Sequence, residues 1–343
     1  MISRLVVMMA LLGAITQLQA QKVSVAKAGF IEDTVTTTPA CHSSSIVALD
    51  NNRLMATWFG GEYEGHKDVS IYTAIYSNGA WQKAVKVADG VVDQNKRFPA
   101  WNPVLFKTKV GVLFLYYKVG PNPREWWGMM KVSTNNGQTW SEAKRLPGNN
   151  LGPIKNKPIQ LANGKVLHPS STESKDEKVW HAHLEVSDGA SMVWQDVQIN
   201  CDTFGVIQPA ILTYPGNKLQ MLFRSRQNRI IESWSTDEGK TWSALKPLNI
   251  LNPNSGIDAV SMKNGWQVLV YNPAVAGADW FNGRNELRVA VSKDGKNWKD
   301  VYTLEKHDKG EFSYPAIITV GNQVHITYTF DRKKIKHVVL NVG

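Results

Sequence analysis

Along residues 40–61, ACHSSSIVALDNNRLMATWFGG, a serine run leads into apolar residues at alternate positions. A polar turn follows at Asp50-Asn51-Asn52, and a second apolar stretch ends at Gly60-Gly61. Two apolar stretches joined by a short polar turn predict a β-hairpin. The pattern returns five times. PVLFKTKVGVLFLYYK starts at Pro103, PIQLANGKVLHPSS at Pro158, PAILTYPGNKLQMLFRSR at Pro209, AVSMKNGWQVLVYN at Ala259 and PAIITVGNQVHITYTF at Pro315. Counted from Ser44, the steps are 59, 55, 51, 50 and 56 residues. A period of this length made of strands predicts a propeller. No apolar run keeps a 3.6-residue period, so no helix of ordinary length is expected.

Each hairpin is followed by another with a mark at its turn. Ser133–Trp140 (STNNGQTW) and Ser235–Trp242 (STDEGKTW) fit Ser-x-Asp-x-Gly-x-Thr-Trp, the first with Asn135 for Asp; SKDGKNW (Ser292–Trp298) is one residue shorter. YSNGAW, ending at Trp81, and VSDGASMVW, ending at Trp194, are degraded copies. The Asp suits acceptance of backbone N–H bonds within a turn, and the Gly suits φ > 0. The Trp suits burial between neighbouring sheets. These boxes read as structural. The pattern predicts an all-β, six-bladed β-propeller of four-stranded antiparallel blades, strands A to D. The last repeat reaches only strand C, IKHVVLNV from Ile335. KVSVAKAGFIED, near the start of the chain, is expected to supply its outer strand and close the ring. Proline at the head of strand A is tolerated because the innermost strand is an edge.

Residues 1–20 stand apart. MISRLVVMMALLGAITQLQA has a basic start, an apolar core and a Leu18-Gln19-Ala20 end, which reads as a signal peptide cleaved before Gln21. Its apolar run is short of the ~20 residues a membrane span needs. The expectation is therefore a secreted or periplasmic protein, one propeller over residues 21–343, with no membrane attachment after cleavage. Without residues 1–20 the chain carries 38 basic and 29 acidic residues, net +9. That favours an anionic partner. The charge is scattered, and no basic run exceeds Arg332-Lys333-Lys334, which argues against nucleic acid. No zinc or calcium ligand spacing occurs, and no cofactor is called for. Whether Cys41 and Cys201 pair is left open.

The repeat converts sequence position into place. Strand-A starts and B–C loops share one face of the ring, and the boxed turns lie on the other. The A-strand mouths carry His42, Arg97, Lys155, Gln208, Asp258 and Tyr314. The B–C loops carry Glu62, Glu64, Asp68, Arg124 with Trp126 and Trp127, Glu173, Arg224, Arg226, Arg284 and Arg288. Cations, carboxylates and tryptophans facing one funnel suit an anionic sugar: Trp offers a stacking surface and Arg forked donors for a carboxylate.

Asp boxes on six blades resemble the sialidase (neuraminidase) superfamily over the whole mature chain. The closer likeness is to the bacterial BNR-repeat sialidase-like proteins, carried by WFGGEYEGHKDVSIY, YYKVGPNPREWWGMM, LGPIKNKPIQL, FGVIQPAIL, RSRQNRI and NPNSGIDAV. The resemblance implies three arginines on a substrate carboxylate, an Asp acid/base, and a Tyr nucleophile activated by a Glu. It implies that Arg224 is the second arginine and Arg284 the third, with Arg288 its rival. It makes Tyr314 the nucleophile and Asp68 the acid/base, with Glu62 and Glu64 as competitors. Two positions depart: His42-Ser43-Ser44 stands where the first arginine's phrase is expected, and Gln208 stands where the glutamate is expected. An amide takes no proton from a phenol of ordinary pKa ~10; Glu311 and Glu173 are the candidate replacements. Three readings stay open. One is a glycosidase on terminal acidic sugars such as sialic acid, with Asp68, Glu64, Glu173 and Tyr314 catalytic and His42, Arg97, Lys155, Gln208, Arg224, Asp258 and Arg284 binding. The second is a hydrolase or lyase on uronate- or rhamnose-containing polysaccharide. The third is a non-catalytic carbohydrate-binding propeller.

Overall fold

The computed structural model describes residues 23–189, 193–279 and 281–342; the leader read in residues 1–20 lies outside them. Six antiparallel sheets form a six-bladed β-propeller. Blade one holds Ala40–Ala48, Leu54–Gly61 and Ser70–Ser77, edged by Ala80–Trp81 and Val85–Ala88. Blade two holds Ala100–Lys107, Leu113–Val119, Trp127–Ser133 and the two-residue Lys144–Arg145. Blade three runs from Ile159–Gln160 through Val166–Glu173 and Trp180–Ser187 to Trp194–Gln198, and blade four from Val206–Tyr214 through Lys218–Ser225 and Arg229–Ser235 to Lys246–Leu251. Blade five spans Asp258–Ser261, Gln267–Tyr271, Glu286–Ser292 and Lys299–Lys306. Blade six takes Phe312–Val320, Gln323–Phe330 and Lys334–Val342 from the end of the chain and Val23–Phe30 from its start. That last pairing runs from Val23↔Val342 to Phe30↔Lys336 and closes the ring. Among the described residues no helix is long and apolar enough to cross a membrane.

The core lies between blades, not within one sheet. Leu105, Leu115 and Tyr117 pack with Met55 and Phe59 between blades one and two. Val268, Val289, Ile326 and Leu340 pack between blades five and six. Each blade is therefore buried on both faces, and strand B shows it most clearly: LMATWFGG and LFLYYKV are buried at every position. Cys41 and Cys201 are both buried and free.

The boxed turns join strands C and D, opposite the funnel. Asp237 Oδ1 accepts from the amides of Thr241 (2.9 Å) and Lys240 (3.1 Å), and Ser235 Oγ accepts from Gly239 N (2.9 Å). Gly239 sits at φ 82°, which no other residue adopts cheaply. Trp242 Nε1 donates to Gly239 O (3.1 Å), while its ring packs between blades three and four.

On the funnel side strand A is bulged. Register slips between His42 and Ser45, Trp101 and Val104, Ile207 and Ala210, and Ser313 and Ala316. Each slip holds a left-handed residue: Ser43 (φ 55°), Asn102 (39°), Gln208 (54°) and Tyr314 (52°). In three of the four a proline follows directly, so the residue after the slip has no N–H to leave unpaired. A bulge re-aims the side chains beside it, and this one recurs in the blades that carry His42, Gln208 and Tyr314.

Candidate active site

Tyr314 stands at the centre of the funnel-face cluster. Its phenol oxygen accepts from Arg224 Nη1 at 2.8 Å and from Gln208 Nε2 at 3.4 Å. The same Nη1 reaches Gln208 Oε1 (3.2 Å), and Arg224 Nε donates to Asn254 Oδ1 (2.8 Å). His42 lies against the tyrosine ring, centroids 4.2 Å apart, and edge-on to Phe59. Lys155 Nζ, Arg224 and Arg284 stand 5.6, 5.8 and 6.0 Å from the Tyr314 ring centroid. Five blades thus contribute: His42 from blade one, Lys155 from the mouth of blade three, Gln208 and Arg224 from blade four, Arg284 from blade five and Tyr314 from blade six.

The arginines differ in what surrounds them. Arg284 donates to Glu311 Oε1 (3.0 Å) and to the carbonyl of Asn254 (3.3 Å). Glu311 also accepts from Arg332 Nε (2.7 Å), Arg332 Nη2 (3.2 Å) and Ser313 Oγ (2.7 Å). Arg332 continues to Glu64 of blade one. The chain Arg284–Glu311–Arg332–Glu64 is internally compensated. Arg224 makes no hydrogen bond or ion pair to a carboxylate among the described residues, although its charge is felt by Glu173; its hydrogen-bond acceptors are two amide oxygens and a phenol.

These charges set protonation. Burial, then Arg332, Arg284, Lys155 and Arg224, hold His42 well below the usual histidine range, so the ring is neutral, and its Nδ1 has no hydrogen-bond partner among the described residues. Burial works upward on Glu311, but Arg332 and Arg284 outweigh it and keep the carboxyl below its ordinary value. Glu311 is a bound counter-ion, ill suited to take a proton from Tyr314. Asp68 is partly desolvated, yet its 2.6 Å contact with His66 Nδ1 and the Glu62 amide hold it below the usual range. Glu173 goes the other way: burial raises it despite Arg224, Arg124 and Arg226 nearby.

The remaining predicted residues serve the scaffold around this centre. Lys155 is fully buried and donates to Asn156 Oδ1 (2.9 Å), Ile257 O (3.0 Å) and Pro315 O (2.6 Å). Burial pushes its amine down to about 7, but three acceptors call for the three-proton ammonium form. Asp258 pairs with Lys157 at 3.0 Å and accepts from Ile317 N (2.9 Å), pinning blades three, five and six. Arg97 donates to the Asp68 carbonyl (2.8 Å) and Ser70 Oγ (2.9 Å), bracing the blade-one loop. Arg288 lies along strand C of blade five with Glu286 and Asp300, away from Tyr314's contacts. Asp68, Glu64 and Glu173 reach the funnel face without a hydrogen bond to Tyr314.

Sequence reasoning missed Arg332 and Asn254 as site residues. Arg332 was legible only as part of a short basic run, although it occupies the blade-six B–C turn, a position the repeat assigns to chemistry. Asn254, at φ 56°, links Arg224 and Arg284 through its side chain and its carbonyl.

Comparison with known proteins places this propeller among sialidase-like folds. Residues 52–326 match the BNR repeat-like domain; the chain belongs to that family. No curated protein sequence matches. Among solved structures it is similar to a protein of unknown function from Dyadobacter fermentans (14% identity, TM-score 0.74, covering 94% of this chain and 99% of that one). It is similar to the NanB sialidase of Streptococcus pneumoniae (12%, 0.68, 89% and 68%). It is also similar to the intramolecular trans-sialidase of Ruminococcus gnavus in complex with oseltamivir carboxylate (15%, 0.67, 91% and 96%). At these identities the likeness concerns the fold.

Proposed function

We propose that the protein is an exported glycosidase that releases a terminal acidic sugar from a glycan, with sialic acid as the first candidate. One observation carries this reading: Arg224, a guanidinium with no hydrogen-bonded carboxylate among the described residues, sits 2.8 Å from the Tyr314 phenol oxygen at the mouth of the funnel. A carboxylate bound there gains charge-assisted, forked hydrogen bonds. Arg284 stands beside it through Asn254. The sugar's reacting carbon then faces Tyr314. Gln208 accepts no proton, so the phenol stabilises the oxocarbenium-like centre as an oxygen dipole. The leaving oxygen needs a protonated acid. Of the two carboxyls, burial keeps Glu173 closer to that state, while His66 holds Asp68 lower, so that Asp68 takes the proton from the water that adds to the sugar carbon as the leaving group departs. Export rests on the leader read in residues 1–20.

The test is release of free sugar from sialyllactose. Turnover lost in Tyr314→Phe with binding retained supports the reading; no turnover on any sialoside removes the substrate assignment. A second reading draws on His42, whose neutral ring carries an Nδ1 without a hydrogen-bond partner among the described residues and stands among cations that would hold a uronate. Incubation with uronate polysaccharides separates the two, because elimination yields a product absorbing near ~235 nm and hydrolysis does not.

A further inference from the structure

Blade two carries a second feature beside the funnel. Its outer strand is only Lys144–Arg145, paired with Met130 and Met129. The chain leaves the sheet at Leu146, and the segment that follows lies over Gly128, where a Cβ would stand 2.7 Å from Asn150 O and 2.8 Å from Leu151 O. This leaves a cavity of about 220 Å³ lined by Arg124, Trp126, Trp127, Arg145, Asn150 and Glu173, among others. Arg145 lies over the Trp127 ring at 5.2 Å and has no carboxylate partner among the described residues. A larger cleft of about 540 Å³ opens on the other side of the same Trp127–Arg145 pair, between blades one and two.

The cavity adjoins the Tyr314 centre through two neighbouring residues. Glu173 belongs to its wall and pairs in register with Trp180 of the neighbouring strand. Trp180 is the ring against which Arg224 (5.2 Å) and Arg226 (4.3 Å) stack. Arg224 therefore holds the Tyr314 phenol and stacks on Trp180, the cross-strand neighbour of the wall residue Glu173.

We infer that this cavity is the subsite for the sugar next to the one held at Arg224, so that the protein recognises at least a disaccharide. The inference rests on the glycosidase reading for its direction, since the second ring is then the leaving group. The chemistry of the wall selects the occupant. Indole faces stack on a pyranose, and Arg145, with Arg124 beside its partner Glu177, offers donors to its hydroxyls. Glu173, at the junction, stands where the linking oxygen between the two rings would pass.

The experiment measures binding by tryptophan fluorescence for N-acetylneuraminic acid, lactose and 3′-sialyllactose, in the wild type and in Arg145→Ala and Arg124→Ala. Arg145 is exposed, so its loss leaves the fold intact. The expected result is that 3′-sialyllactose binds more tightly than either part. Its advantage over N-acetylneuraminic acid should fall about tenfold in Arg145→Ala, the loss of one charge-assisted contact. An advantage equal in the variants and the wild type overturns the subsite, as does no binding of 3′-sialyllactose. Hydrolysis absent with the binding difference intact defeats the glycosidase reading alone and leaves the subsite standing.

Discussion

His42, Gln208 and Arg224 show what single residues decide. Where the superfamily pattern implies an arginine, the buried neutral His42 packs on Tyr314, and the nearby positive charge comes instead from Arg332 at the opposite end of the chain. Gln208 keeps the shape of the expected glutamate but not its charge. It bridges Arg224 and Tyr314 without neutralising the one and without deprotonating the other. Gln208→Glu is therefore expected to raise kcat about tenfold or more by supplying a base. It should also raise KM, because the new carboxylate pairs with Arg224; initial rates across pH measure both. Arg224→Ala is expected to raise KM for an acidic sugar about 10- to 100-fold, as expected for lost hydrogen bonds to a charged group. The identities of His42, Gln208 and Arg224 were legible. The pairing of Arg284 with Glu311 and the isolation of Arg224 were not, because partners 27 and 90 residues away are chosen by the ring, not by spacing.

Among the elements, strand A and the C–D turn divide the labour. The boxed turns were legible in full because their bonds are local: Ser235, Asp237, Gly239 and Thr241 satisfy one another within a few residues. Asp237→Ala removes the acceptor of two turn amides and is expected to cost about 1–2 kcal/mol in denaturant unfolding. The specificity constant should stay unchanged, since the turn lies opposite the funnel. The strand-A bulges were hidden. A period-2 pattern assigns alternate residues to alternate faces, and a bulge breaks that count. Their trace was the dipeptides Asn102-Pro103, Gln208-Pro209 and Tyr314-Pro315, which read as strand starts.

The whole molecule is stabilised by closure, and two outcomes follow. Removing Val23–Phe30 takes seven register pairs from blade six and exposes the edge of Lys334–Val342. Thermal unfolding of such a truncation is expected to lose its single cooperative transition. Acid acts through buried histidines. Burial pushes His325 down to about 4, and burial, His325 and Lys27 push His337 down to about 3. Trp81 Nε1 donates to His337 Nδ1 (3.3 Å), which leaves His337 Nε2–H for His325 Nδ1 (3.2 Å), an arrangement that requires neutral rings. The unfolded chain takes up these protons below its ordinary histidine pKa of ~6.5, and the folded chain resists until the lowered values. Stability is thus full above pH ~6.5 and falls as pH drops toward 4, by up to about 1.4 kcal/mol per pH unit for each such histidine. Melting temperatures between pH 7.5 and 4.5 measure the slope, and His337→Gln should flatten it.

The sequence by itself determined the number of blades, the closing strand, the boxed turns and the face to which the strand-A mouths and B–C loops bring the polar cluster. These depend on short-range alternation repeated six times. Only the tertiary structure decided which charges face one another. It compensated Arg284 and Arg332 with Glu311 and Glu64, left Arg224 beside Tyr314, and committed Lys155 and Asp258 to holding blades together. Coulomb and hydrogen-bond energies depend on distance in space, and in a closed ring that distance bears no relation to distance along the chain.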